Sequence, residues 1–162
     1  MNSNRKIVKL STLHRIVARL RKQGKIITFT NGCFDILHFG HVRYLEKAKK
    51  KNRVLIVGVN SDRSVRGIKG PRRPITGQNH RAALIAALGC VDYVTIFNEE
   101  TPYRVIKTLL PDILIKGADW RSKTVVGSDI VKAFGGKLEF IRFQKGFSTT
   151  GVIRSIIHLC KN

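Results

Sequence analysis

Apolar positions along this chain change period repeatedly. Leu13, Ile16, Val17 and Leu20 recur at helical spacing. They predict a helix over about 11–24, capped by Ser11 or Thr12 and ended by Gly24. KIITFT (25–30) has the length and composition of a strand. A polar, glycine-containing turn follows, then a helix predicted through about Lys50. RVLIVGVN (53–60) is a continuous apolar run, the pattern of a strand covered on both faces. The polar, basic stretch from Ser61 to Gly77 is predicted as a loop with at most one short helix. QNHRAALIAALG (78–89) predicts a helix, VDYVTIF (91–97) a strand, and Pro102 the first helical position of a segment running to Leu110. DILIKG (112–117) and KLEFIRF (137–143) predict two further strands, with a helix ending at Gly135–Gly136 before the second. A last helix is expected from about Ser148–Thr150, with Val152, Ile153, Ile156 and Ile157 on one side.

Strands alternating with helices imply βαβ units and a parallel sheet wrapped by helices, a doubly wound α/β fold. The 162 residues suffice for one domain with a proper core. No repeat or linker divides them, so a single domain over 1–162 is expected, its core at about 25–160. In such sheets ligands bind at the carboxyl ends of the strands. The polar clusters at 31–41, 60–73, 117–120 and 146–150 all fall at those ends.

Hydrophobic residues at 43% and charged residues at 25% are ordinary for a globular protein. The charge balance is not: 31 basic against 10 acidic side chains give +21. That field attracts polyanions without choosing among nucleic acids, nucleotides, sugar phosphates and acidic membranes. Three scattered cysteines (Cys33, Cys90, Cys160) form no disulfide framework and fit a reducing compartment. No apolar stretch is long enough to span a bilayer, and the N-terminus lacks the apolar region of a secretion signal. A cytoplasmic location is expected.

The chemistry concentrates in TNGCFDILHFGHVRYLE (30–46). A strand that feeds a glycine-containing loop and then a helix start presents free backbone N–H groups and partial positive charge, a ready site for phosphate. His38 and His41, three residues apart, can both reach one anion there, and Gly40 lets the backbone approach it closely. A zinc site needs three or four ligands, and no partner stands at a recognisable spacing. Ser148, Thr149 and Thr150 can cap a helix and also hold phosphate oxygens. Lys69, Arg72 and Arg73 in the basic loop, with Arg81 on the next helix, can neutralise phosphate charge or remain solvated. Asp35, Asp62 and Asp119 can position a metal ion, a ribose hydroxyl or a base amino group, or simply form turns. The fingerprints of P-loop enzymes, dinucleotide dehydrogenases and serine hydrolases are absent.

TNGCFDILHFGH, VGVNSD, HRAALI, IKGADW and FSTT, in this order, resemble the cytidylyltransferase-like nucleotidyltransferases with the His-x-Gly-His signature. The resemblance spans roughly residues 10–160. Within that superfamily the chain is most similar to the adenylyltransferase domain of bacterial ADP-heptose synthases. The resemblance implies a Rossmann-like sheet, Mg²⁺ carried by the ATP phosphates without direct protein ligands, and transfer of a nucleotidyl group without a covalent enzyme intermediate. The implied reaction moves AMP from ATP to a sugar 1-phosphate, D-glycero-β-D-manno-heptose 1-phosphate in that branch. ADP-heptose for lipopolysaccharide core synthesis and pyrophosphate would be the products.

By position, His38, His41 and Lys69 are the implied catalytic residues. Asn31, Gly32, Cys33, Phe34, Asp35, Gly40, Lys49, Gly117, Asp119, Ser148, Thr149 and Thr150 would bind the nucleotide, with Arg81 ordering the Lys69 loop. Asp62, Arg73 and Trp120 are candidates for the acceptor. A homodimer is a family expectation, and a separate sugar kinase is expected because no kinase half is legible. Glycerol-phosphate and choline-phosphate cytidylyltransferases carry an Arg five residues before the Ser of their Ser-Thr-Thr motif. Here that position is Phe143, with Arg142 one step earlier, which favours the heptose branch over a polyol-phosphate cytidylyltransferase. The rival from another class is a nucleic-acid-binding module suggested by +21, although no nucleic-acid-binding motif is present.

Overall fold

The computed structural model describes residues 3–121, 124–144 and 146–161. Among the described residues the α-helices and strands follow in the order α1 (Leu10–Lys22), β1 (Ile26–Gly32), α2 (Phe39–Ala48), β2 (Arg53–Asn60), α3 (Asp62–Lys69), α4 (Gln78–Ala87), β3 (Tyr93–Phe97), α5 (Tyr103–Leu109), β4 (Ile113–Gly117), α6 (Ser128–Ala133), β5 (Lys137–Ile141) and α7 (Thr149–Leu159). The five strands are parallel and lie in the order β3-β2-β1-β4-β5. This is the expected doubly wound Rossmann-like sheet. The chain reverses its direction of travel across the sheet between β1 and β4, where a cleft opens at the strands' carboxyl ends.

Alternation along the strands feeds two cores. One face joins Leu55, Val57, Val59, Ile113 and Ile115 to Tyr44, Leu45 and Ala48 of α2 and to Ala82, Ile85 and Ala86 of α4. The other joins Ile27, Phe29, Ile56 and Leu114 to Leu13 and Val17 of α1 and to Val105, Ile106 and Leu109 of α5. β2 is buried from Val54 to Asn60, which is why it reads as an unbroken apolar run.

Several boundaries differ from expectation for identifiable reasons. α1 begins at Leu10, so Ser11 and Thr12 lie inside it and no side chain caps it. The preceding segment is pinned to the sheet, since Ile7 bridges to Val94 and the Val8 N–H donates to the Val94 carbonyl at 2.9 Å. The chain therefore enters the helix earlier than the caps suggest. Pro102 sits just before α5. The basic stretch holds the one short helix allowed for it, α3, which Ser61 caps by accepting from the Ser64 N–H. α7 starts as expected but packs into neither core, and Ile156 and Ile157 are about half exposed.

Leu114 is fully buried at the centre of the second core. Leu114→Ala should lower unfolding stability by about 2–5 kcal/mol, read as a drop in urea midpoint at constant slope.

Candidate active site

β1 pairs with β2 as far as Gly32 but with β4 only at Thr28–Ile113 and Phe29–Leu114. Above that level β1 and β4 part, and side chains rather than the ladder line the gap. The resulting cleft has two lobes that share Cys33, Phe34, His41 and Lys69. The larger, about 510 Å³, is mostly apolar, with Tyr44, Ile68, Pro102, Trp120 and Phe143 in its wall. The smaller, about 490 Å³, is polar and reaches Asp35, Arg73, Thr149 and Thr150.

His41 stands where the lobes meet, with His38 stacked on it. His38 is the N-cap of α2 and His41 lies in its first turn. Their rings stack with centroids 3.8 Å apart and planes at 22°. The edge of Phe34, which holds a left-handed backbone (φ 48°), meets the His41 ring at 5.2 Å. Burial lowers the pKa of His38. His41 is lowered to about 4, first by burial and then by His38, with the Ile36 backbone opposing. Both imidazoles are therefore neutral near pH 7 and can donate a ring N–H to an anion without repelling each other. The Nδ1 atoms of both rings are buried without a hydrogen bond among the described residues. Gly40 lets the His38 ring and Phe147 lie close to the backbone: a Cβ there would press on both at 3.1 Å. Across the smaller lobe Ser148 caps α7, accepting from the Gly151 N–H at 3.0 Å, and leaves Thr149 and Thr150 facing the cleft. Two helix starts thus converge on one space, each with its positive end towards it.

Other sequence candidates divide into those that line the cleft and those that build it. Asn31, Gly32, Gly117 and Trp120 line the larger lobe, and Asp119 lies between the last two. A Cβ on Gly117 would displace the Phe143 ring and the Asp119 carboxylate, so glycine lets both close over the strand end. Asp35 is a builder. Its Oδ1 accepts from the Ile75 and Thr76 N–H groups at 2.7 and 2.9 Å, and its Oδ2 pairs with Arg73 Nε at 3.0 Å.

Arg81 is fully buried, donating to the Thr76 and Cys33 carbonyls and to Asp62 at 2.8 Å. It ties the loop together and lines neither lobe, and Asp62 is engaged with it outside both. Lys49 is also misplaced by sequence reasoning. α2 runs antiparallel to the strands, so its last residues lie at their amino ends, where Lys49 pairs with Asp92 and the Arg53 carbonyl. Arg72 lines neither lobe.

Sequence reasoning missed Lys116 and Tyr44. Lys116 lines the larger lobe from the end of β4, donates to Asn31 Oδ1 and lies 5.6 Å from the Trp120 ring centre. Burial pushes its pKa down to about 8. The signal was a lysine inside the otherwise apolar run ILIKG. Tyr44 OH shares a hydrogen bond of 2.9 Å with Thr30 Oγ1, and its ring packs 5.2 Å from Phe143. Among the described residues no three His, Cys, Asp or Glu side chains are grouped to hold a metal ion. No helix among them is long and apolar enough to cross a membrane.

The cytidylyltransferase-like family model matches residues 29–153. The bifunctional protein HldE of Geobacter metallireducens is 49% identical over 156 residues, which are 96% of this chain and 32% of that protein. HldE of Campylobacter fetus is 52% identical over 152 residues, 94% of this chain and 31% of that protein. The chain thus spans about a third of the length of these relatives. Among solved structures, the lipopolysaccharide core biosynthesis protein of Thermoplasma volcanium superposes with a TM-score of 0.60 at 31% identity, over 75% of this chain and 98% of that one. Pantoate-β-alanine ligase of Francisella tularensis shares the fold, with a TM-score of 0.60 at 17% identity over 96% of this chain and 79% of that one.

Two consequences are measurable. An unfolded histidine has a pKa near 6.5, and His41 is held below it, so the unfolded chain takes up the proton first as pH falls. Stability should be intact above pH 6.5 and decline from there towards pH 4.5, before most carboxylates titrate. Urea unfolding across that window should show a shallower decline for His41→Asn. Arg81→Met removes every hydrogen bond of a buried guanidinium and should cost on the order of 3 kcal/mol, seen as a lower urea midpoint.

Proposed function

The chain belongs to the cytidylyltransferase-like family, and from that premise we propose that it transfers AMP from ATP to a sugar 1-phosphate. The acceptor proposed is D-glycero-β-D-manno-heptose 1-phosphate, giving ADP-heptose and pyrophosphate for lipopolysaccharide core synthesis. The observation that carries the reading is the pair of neutral, stacked imidazoles at the start of α2, facing the start of α7 across the cleft.

In this reading the triphosphate occupies the smaller lobe. His38 and His41 donate ring N–H groups to its oxygens, and Lys69 adds a cation from the end of α3. Thr149, Thr150 and the free N–H groups of α7 close around the tail. The nucleoside reaches into the apolar lobe past Cys33, Phe34, Gly117, Asp119 and Trp120. An oxygen of the acceptor phosphate attacks the α-phosphorus as its bond to the bridging oxygen breaks and pyrophosphate leaves with the electron pair. No general base is needed, because a phosphate dianion is already a nucleophile. The protein supplies alignment and stabilises charge growing on the bridging and leaving oxygens.

The donor set fits a metal ion carried on the phosphates. Asp35 is occupied by two backbone amides and Arg73, and among the described residues no three His, Cys, Asp or Glu side chains are grouped to hold a metal ion. Mg²⁺ bound through phosphate oxygens would neutralise their charge. A homodimer, a cytoplasmic setting and a separate kinase to supply the sugar phosphate belong to the same proposal.

Turnover of ATP, CTP, GTP and UTP with a panel of sugar and polyol phosphates, read as pyrophosphate release, tests it. ATP with the heptose 1-phosphate should lead, and preference for CTP with glycerol phosphate would overturn the reading. His41→Ala should lower kcat by about 10²–10³. Lys49→Ala, at the opposite end of the sheet, should leave kcat within about twofold, since a side chain outside the cleft gives no transition-state contact to lose.

A further inference from the structure

Lys116 is an unusual use of a lysine. It sits where β1 and β4 part, nine-tenths buried, at the floor of the larger lobe. Its ammonium has one hydrogen-bond acceptor among the described residues, the Asn31 side chain on the other lip of the gap. The Trp120 ring face covers another side. An ammonium carries three N–H donors, so at least one more oxygen can be taken from the cleft. Leaving a buried cation without a full set of partners is costly, and the fold does not relieve that cost. The carboxylate lining the same lobe, Glu100, lies against Gly67 of α3.

The division of charge between the lobes narrows what Lys116 is for. His41, the start of α7 at Thr149 and Thr150, Arg73 and Lys69 all border the polar lobe. Of the two lysines lining the apolar lobe, Lys69 is shared with the polar one and Lys116 is not. A nucleoside is uncharged and gives such a lysine nothing to neutralise. The other reactant in a nucleotidyl transfer to a phosphate is an anion, and it must lie beside the α-phosphate on the side away from the departing pyrophosphate. We infer that Lys116, held by Asn31 and backed by Trp120, binds the phosphate of the acceptor and sets that reactant's affinity and alignment. The inference rests on the transfer reading above and adds to it the group that recognises the second substrate. A lysine here also selects phosphorylated acceptors over free sugars, because an uncharged hydroxyl would leave the ammonium unpaired.

Lys116→Met keeps length and apolar bulk and removes the charge, and it is compared with the wild-type chain in three measurements. The first is wild-type turnover with ATP and the heptose 1-phosphate; its failure with every phosphorylated acceptor would overturn both the transfer reading and this inference. Given turnover, the KM for the acceptor should rise at least tenfold in the variant, while the KM for ATP changes less than threefold. An equal or larger rise for ATP would assign Lys116 to the nucleotide and overturn this inference while leaving the transfer reading intact. Unchanged constants would overturn it likewise. The third measurement separates binding from folding. Calorimetry with a non-hydrolysable ATP analogue should give the wild-type Kd, and Tm should hold or rise, because a buried charge has been removed. A lowered Tm together with weakened analogue binding would mark Lys116 as a structural strut and end the proposal.

Discussion

The guanidinium of Arg81 holds the cleft together. It is fully buried on α4, yet its contacts reach the loop after β1 through Cys33, the start of α3 through Asp62, and the loop before α4 through Thr76. A buried cation tolerates that position only when its donors find acceptors in good geometry. Three elements are therefore locked into one arrangement. Asp35 repeats the device from the other side, binding Ile75, Thr76 and Arg73. Between them they set the lip on which Lys69 and the paired histidines face the same space.

This construction uses acidic side chains as internal struts. Asp35 and Asp62 serve the lip, Asp92 accepts from the Leu55 N–H and pairs with Lys49, Asp112 accepts from the Ile27 N–H, and Glu139 pairs with Arg53. Carboxylates engaged in this way do not compete for cations inside the cleft. The cleft attracts anions through helix starts, lysines and neutral imidazoles, and imidazoles without charge can stack at 3.8 Å. The long-range field of a +21 chain adds attraction at a distance.

Membership of the cytidylyltransferase-like family agrees with this architecture. In this chain a glycine-containing turn after β1, a histidine pair at the start of α2 and a Ser-Thr-Thr start to α7 come together at one cleft. In the apolar lobe Phe143 packs against Tyr44 and Gly117 and makes the wall aromatic.

The order and type of the strands and helices were legible in the sequence, because burial on one or two faces writes itself directly as period. So was the anchor of the site: His38, Gly40 and His41 lie within one helical turn, and local spacing alone brings the rings together. What sequence could not supply was direction across long separations. Lys49 follows the motif closely, yet the antiparallel run of α2 carries it to the wrong end of the sheet. Arg81 was expected to order the Lys69 loop and Asp62 to meet the acceptor, but only the fold shows that the two pair with each other. Lys116 reads as a flaw in an apolar strand, and only the parting of β1 from β4 turns it towards the cleft. Periodicity and short motifs are local properties of the chain. Which charged groups share a cavity depends on how strands distant in sequence are laid side by side, and packing alone decides that.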